Sequence, residues 1–366
     1  MYKEGKAAIR YKRGSFLNPE GLVSRDISCA LAATISTRKT RILDSTSATG
    51  IRGIRYYLET PSKDVTFLEM NRAAFSSMKR NVGFNKVKAK MHPKSIQEFA
   101  NTERDKFDII DLDPFGGVTP YIYDLMKISR SGTHMFITAT DTAVLCGADY
   151  GACLRLYDAR PMHNEMCKEV GIRILAGYVA RVAAQFSYGV EVVAAFSYLH
   201  YMRIFVRLRH GSGAAAASLK NMGYVHYCGK CLNRSLEHSV LPKSNTCGIC
   251  GSQMDGAGKA WLGSMSDKKA VKAIMEEIAR NPGLYSDGSM RLIEELSKEV
   301  DTPTCYSIPA ITKKMGIGSI GTKPLMELLD SRGFQVSRTH LSSYSIKTGA
   351  GIEEVKSAIR ALSKNI

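Results

Sequence analysis

Between Arg41 and Thr138 the sequence alternates four short strand patterns with three helical ones, and that alternation confines the chain to few folds. The strands are expected at Arg41–Asp44, Asp64–Glu69, Phe107–Asp111 and His134–Thr138. The helices are expected through Ile54 and Leu58, over Arg72–Asn81, and over Thr119–Ser129. Strands that alternate with helices form a parallel sheet, because each parallel connection has to cross over the sheet. An amphipathic helix with Ile27, Leu31 and Ile35 on one face precedes this block. A longer helix, Val170–Phe186, follows it, and then Val190–Ser197 and Arg203–Arg209 read as paired strands at an antiparallel edge. The run Gly211–Ala217 reads as a small, flexible link, so two domains are expected, residues 1–212 and 213–366.

The second region opens on Cys228-Gly-Lys-Cys231 and Cys247-Gly-Ile-Cys250, with fifteen residues between the pairs. Four thiolates at this spacing close a tetrahedral zinc site, with a glycine easing each knuckle round the metal. A redox pair or an iron–sulfur centre fits two matched knuckles less well. A closed four-cysteine site has no open coordination position, so its role is structural. The other five cysteines stand singly and read as reduced thiols. Two helices, Ile308–Met315 and Thr322–Ser331, then a hairpin over Gly333–Lys347 and a closing helix give a smaller α+β domain with a winged-helix-like end. Arg332, Arg338, His340 and Lys347, interleaved with Phe334 and Tyr344, suit either phosphate contacts from a wing or a solvated basic face.

Lys and Arg total 51 against 34 Asp and Glu, a net charge of +17 spread along the chain. Such an excess favours a polyanionic partner. No apolar run has the length of a membrane span, and the first residues lack the apolar block of a signal peptide, so a cytoplasmic protein is expected. No obligate protein partner is evident.

The candidate chemistry lies at strand ends. Ser45-Thr-Ser-Ala-Thr-Gly50 joins the first strand to a helix through small residues, which lets backbone N–H groups approach a ligand at a helix N-terminus. Glu69, ending the second strand, suits the ribose hydroxyls of a nucleoside-containing cofactor. Asp113-Pro114-Phe115-Gly116 lies beyond the third strand. An amino group on guanine or adenine is a poor nucleophile, because its lone pair is delocalised into the ring. A carboxylate beside it can orient the N–H and stabilise growing positive charge, while an aromatic residue offers a stacking face to a base drawn out of its helix. Asp111, two residues earlier, is read as a partner for a lysine or arginine, and Asp141 as a weaker candidate.

These motifs, with Phe16-Leu-Asn-Pro19, Ser24-Arg25-Asp26, Leu43-Asp-Ser-Thr-Ser-Ala-Thr-Gly-Ile-Arg-Gly-Ile-Arg55, Asp111-Leu-Asp-Pro-Phe-Gly116 and Thr138-Ala-Thr-Asp-Thr-Ala-Val-Leu-Cys-Gly147, resemble the tRNA guanine-26 N2-dimethyltransferases, most of all the compact archaeal members. The resemblance implies a class I, Rossmann-like α/β domain dependent on S-adenosylmethionine, followed by a C-terminal tRNA-binding domain. It also implies roles. Arg25 and Arg52 would contact the cofactor and Glu69 would hold its ribose. Asp113 would act on guanine N2, Phe16 and Phe115 would pack the flipped base, and Asn18 would lie near the amine. Lys94 and Ser95 stand where the family carries an Asp-Ala pair near the adenine. Two other readings are an amino-group methyltransferase acting on another RNA or on DNA, and a zinc-containing winged-helix regulator with a degenerate enzyme domain.

Overall fold

The computed structural model describes residues 1–11, 17–239, 241 and 245–363. A hairpin of β1 (Tyr2–Glu4) and β2 (Ala7–Ile9) leads into α1 (Leu22–Ile35). The alternating block follows as β3 (Arg41–Asp44), α2 (Ile51–Glu59), β4 (Asp64–Leu68), α3 (Arg72–Phe84), β5 (Lys90–His92), α4 (Ile96–Thr102), β6 (Ile109–Leu112), α5 (Thr119–Lys127) and β7 (His134–Ala139). Short helices α6 (Thr142–Leu145) and α7 (Tyr150–Tyr157) precede the long α8 (Cys167–Gln185) and the strands β8 (Tyr188–Tyr198) and β9 (Tyr201–His210).

One seven-stranded sheet carries this half, in the order β5-β4-β3-β6-β7-β9-β8. β3 to β7 run parallel, and β9 is antiparallel to both β7 and β8. The strand order reverses beside β3, so β3 and β6 are neighbours whose outgoing loops diverge. That opens a crevice at their carboxyl ends, where open α/β sheets bind ligands.

The remainder comprises α9 (Ser212–Leu219), β10 (Met222–Tyr227), β11 (Arg234–Glu237), β12 (Asp255–Trp261), α10 (Lys268–Arg280), α11 (Asp287–Lys298), β13 (Tyr306–Ser307), α12 (Ile308–Met315), α13 (Thr322–Ser331), β14 (Val336–Thr339), β15 (Ser342–Thr348) and α14 (Ile352–Ser363). β11-β10-β12 form one small sheet and β13-β15-β14 another. The succession α11-β13-α12-α13-β14-β15 has the connectivity of a winged helix.

The run read as a flexible link is instead α9. Its four consecutive alanines have the highest helix propensity of any residue. The two large hydrophobic cores cross this point, while a small third cluster, Cys228, Cys247 and Met254, lies beyond it. One large core joins Ile174 and Leu175 of α8 to Val225, Ala257 and Trp261, and the other joins Ile27 and Leu31 of α1 to Val271, Ile274 and Leu292. Polar ties cross it too. The carboxylate of Asp26 accepts from the Ser286 N–H at 2.8 Å and the Ser289 hydroxyl at 2.9 Å, and Arg173 donates to the carbonyls of Trp261 and Gly263.

Lys347 and His340 are not phosphate contacts on the wing. Both are turned inward onto Glu299, at 2.8 and 2.7 Å, and Lys347 also pairs with Glu169 of α8 at 2.9 Å. Among the described residues no helix is long and apolar enough to cross a membrane.

Candidate active site

The loop after β3 is held shut by its own side chains. The N–H and hydroxyl of Ser45 both donate to the Asp111 carbonyl, at 2.9 and 2.6 Å, which locks the loop to β6. Ser47 bridges to β4, donating to the Asp44 carbonyl and accepting from the Leu68 N–H. Gly50 begins α2 at φ +82°, a conformation that suits glycine, and a side chain on Gly53 would collide with the Phe67 ring at 2.3 Å. The Asp44 carboxylate accepts from the Gly53 N–H at 2.9 Å and so clamps the first turn of that helix.

Glu69 lies just past β4 and is partly exposed. Its two oxygens accept from the N–H groups of Ala48 and Asn71, each at 2.8 Å. The carboxylate is thereby fixed between the loop and the start of α3, and each oxygen keeps a lone pair for a further hydrogen bond. That pair of acceptors fits the two donating hydroxyls of a ribose.

Asp111 and Asp113 have different surroundings. Asp111, at the end of β6, is fully buried and is gripped by Arg203 of β9 through both oxygens, at 3.2 and 2.6 Å. The Tyr56 hydroxyl also donates to it, and Arg52 stands 3.5 Å away. Arg203 reaches on to the hydroxyls of Thr138 and Ser28. Asp111 is thus the arginine partner expected of it. Asp113 retains 32 % exposure and receives a hydrogen bond from Arg52, while its own N–H donates to the Thr46 hydroxyl at 2.8 Å. Burial pushes the Asp113 carboxyl up, but the Arg52 and Arg203 cations outweigh it and hold the group below the usual carboxylate value. Phe115, 69 % exposed, stands just beyond it. Gly116 turns the chain at φ +80° and is tied through its N–H to the Thr140 hydroxyl.

The other expected residues fall as follows. Arg25 is buried and binds Glu4 through two nitrogens, at 2.7 and 2.6 Å, and donates its third to the Asn18 carbonyl at 3.0 Å. The Asn18 side chain caps the short turn Pro19–Gly21. Ser95 caps α4 in a reciprocal box with Glu98, and Lys94 reaches Thr102 on the same helix. Phe16 lies outside the described residues. Asp141 accepts from the Tyr157 hydroxyl at 2.9 Å.

Reading the sequence missed Arg203, Tyr56, Ser28 and Thr46. Arg203 did leave a signal: a cation inside the apolar strand Met202-Arg-Ile-Phe-Val206 requires a buried partner. The other three are ordinary residues whose role exists only after folding.

The four paired cysteines converge, with all their sulfurs within 4.8 Å of one another. Cys228 meets Cys250 and Cys231 meets Cys247, each at 3.5 Å. Thiolates about 2.3 Å from one tetrahedral ion lie about 3.8 Å apart, so this set fits zinc. The two knuckles are matched in backbone as well. The Leu232 N–H returns to the Cys228 carbonyl and the Gly251 N–H to the Cys247 carbonyl, with φ +65° and +70°. The left-handed residue is therefore the one after each second cysteine, and the glycines inside the motifs, Gly229 and Gly248, do not supply it.

Parallel strands in the order 5-4-3-6-7, an antiparallel β9-β8 edge and long loops at the carboxyl ends of β3 and β6 are the architecture of a class I S-adenosylmethionine-dependent methyltransferase. The family model for N2,N2-dimethylguanosine tRNA methyltransferase matches residues 2–360. A tRNA (guanine(26)-N(2))-dimethyltransferase of Methanothermobacter thermautotrophicus is 32% identical over 95% of this chain and 93% of its own. One from Pyrococcus furiosus is 33% identical over 95% and 93%. The structure of Trm1 from Pyrococcus horikoshii with S-adenosyl-L-methionine superposes with a TM-score of 0.90 at 32% identity, covering 98% of both chains. The chain belongs to the N2,N2-dimethylguanosine tRNA methyltransferase family.

Proposed function

We propose that this protein methylates the exocyclic N2 of guanine 26 in tRNA twice, using S-adenosylmethionine, in the cytoplasm. The observation that carries the reading is Asp113: an ionised, partly open carboxylate at the mouth of the crevice, followed in the same turn by the exposed ring of Phe115. Residues 1–212 are assigned the chemistry, and residues 213–366 the grip on tRNA together with a structural zinc held by Cys228, Cys231, Cys247 and Cys250.

Glu69 would hold the cofactor ribose, with Arg25, Arg52, Lys94 and Ser95 around the remainder of the cofactor. The cofactor when bound supplies an activated methyl group on a sulfonium, so the protein needs no nucleophile of its own. The residues of the chain position the base. Phe16 and Phe115 would sandwich the guanine, and Asn18 would face its amine. Asp113 accepts an N–H of that amine, orients the lone pair toward the methyl carbon, stabilises the cation forming on N2 and takes up the proton that N2 then sheds. The Arg52 contact keeps Asp113 ionised while no base is present.

Asp113→Ala tests this. It should lower methyl transfer at least a hundredfold, the scale of a lost positioned acid–base group, with cofactor affinity within about twofold of the parent by calorimetry, as expected of a group that acts on the substrate. Transfer at the parental rate would refute the assignment.

A further inference from the structure

The positive charge is distributed unevenly once the fold is known. Residues 1–100 hold 19 Lys and Arg against 8 Asp and Glu, so +11 of the net +17 lies in the first hundred residues. From Met70 to Gln97 there are seven cationic residues and no acidic one. This run is α3, the turn after it and β5, which is the edge strand of the large sheet.

The helix displays its cations on one stripe. Arg72, Ser76, Lys79, Arg80 and Gly83 are all exposed and follow the three-to-four-residue spacing of a single helix face. Lys86, Lys88 and Lys90, exposed as well, follow in the turn after α3 and at the start of β5. Among the described residues none of these six cations makes an ion pair with a carboxylate. A surface evolved only for solubility intersperses both signs. The N-terminal hairpin is clamped on the far end of α3 and adds to the face. The Arg10 N–H donates to Asn81 at 2.9 Å, its guanidinium stands 4.6 Å over the half-exposed ring of Phe84, and Asn85 bonds both ways with Ala8. The near end begins at the crevice, because Asn71, which Glu69 anchors, immediately precedes Arg72.

The winged-helix end offers less. The exposed residues of α13 include Glu327 and Asp330 as well as Lys323, and Lys347 and His340 are turned onto Glu299. We propose that the exposed face of α3 and the β5 edge receives the phosphate backbone of the tRNA substrate, holding the RNA from the methyltransferase side while a base enters the crevice. This assignment rests on the tRNA reading above.

The test measures binding of fluorescently labelled tRNA across a potassium chloride series, for the parent protein and two variants. The first variant is Lys79→Gln, Arg80→Gln, Lys86→Gln and Lys88→Gln. The second removes the same charge at the amino ends of β3 and β6, away from the carboxyl-end loops, by Arg38→Gln, Lys39→Gln, Arg104→Gln and Lys106→Gln, all exposed. Every phosphate left without its protein cation flattens the slope of log affinity on log salt by about 0.7–0.9, so the first variant should be shallower by about 3 and bind about tenfold or more weakly at low salt. Its cofactor affinity should be parental, which also shows that it is folded, and methylation should show a raised KM for tRNA with kcat retained. The second variant should stay close to the parent. A parental slope in the first variant, or equal losses in both variants, would overturn the proposal. A parent protein that neither binds nor methylates tRNA would overturn the tRNA reading and this assignment with it.

Discussion

Asp44 and Asp113 lie at the carboxyl ends of neighbouring strands, and their surroundings drive their proton affinities in opposite directions. Burial, with repulsion from Asp111, pushes the Asp44 carboxyl from 3.8 up to about 7, against the opposing pull of Arg52 and the Gly53 N–H. Asp113 is held low by two arginines. The raised group binds its proton more tightly folded than unfolded, so its contribution to stability is complete below about pH 4 and is lost as pH rises through 7. Asp44→Asn keeps an acceptor for the Gly53 N–H and removes the titration. Between pH 5 and 8 the parent should lose about 3 kcal/mol more than the variant in urea unfolding. Parallel pH profiles would contradict the assignment. The turn that carries Asp113 was readable because Asp-Pro-Phe-Gly is contiguous and follows a strand. The buried network of Arg203, Tyr56 and Ser28 around Asp111 was not, since its members are far apart in sequence and are joined only by the sheet.

At the scale of elements, periodicity located most of the large sheet, with β3 and α12 found at their observed limits. It failed where composition was taken for flexibility, at α9, and where charge was taken for exposure, at β15. Lys347 is only 4% exposed, because the wing strand packs between α8 and Glu299. Nothing local in Ser-Ile-Lys-Thr reveals that. Burial raises the Glu299 carboxyl, but His340 and Lys347 outweigh it and hold the group well below the usual carboxylate range. Its stabilising effect is therefore present at neutral pH and lost as pH falls through the carboxylate range. Glu299→Gln leaves Lys347 with Glu169 alone, and a broken buried pair costs about 3–5 kcal/mol. Urea unfolding at pH 7 should show a loss of that order, and a loss below about 1 kcal/mol, the range of an exposed pair, would mean that the cluster does not bind the wing to α8.

For the whole molecule, two cores that both run across residues 212 and 213 predict that the halves unfold together. The zinc module belongs to this unit, since β12 lies against α8 in the first core and Arg173 bonds to the Trp261 carbonyl. One zinc per chain is expected by elemental analysis. Its removal with a chelator, or Cys228→Ser, should lower the melting temperature of a single calorimetric transition. Two separated transitions, the upper one unmoved by chelation, would show that the module is independent of the methyltransferase half.

Methylation at guanine 26 is tested most directly by methyl transfer from labelled cofactor to unmodified tRNA, followed by nucleoside analysis, with a second tRNA in which guanine 26 is replaced by adenine. Guanine-26 N2 as the methyl acceptor predicts label in N2-methylguanosine and N2,N2-dimethylguanosine with the first tRNA and none with the second. Equal labelling of both tRNAs, or label in any other nucleoside, would contradict it.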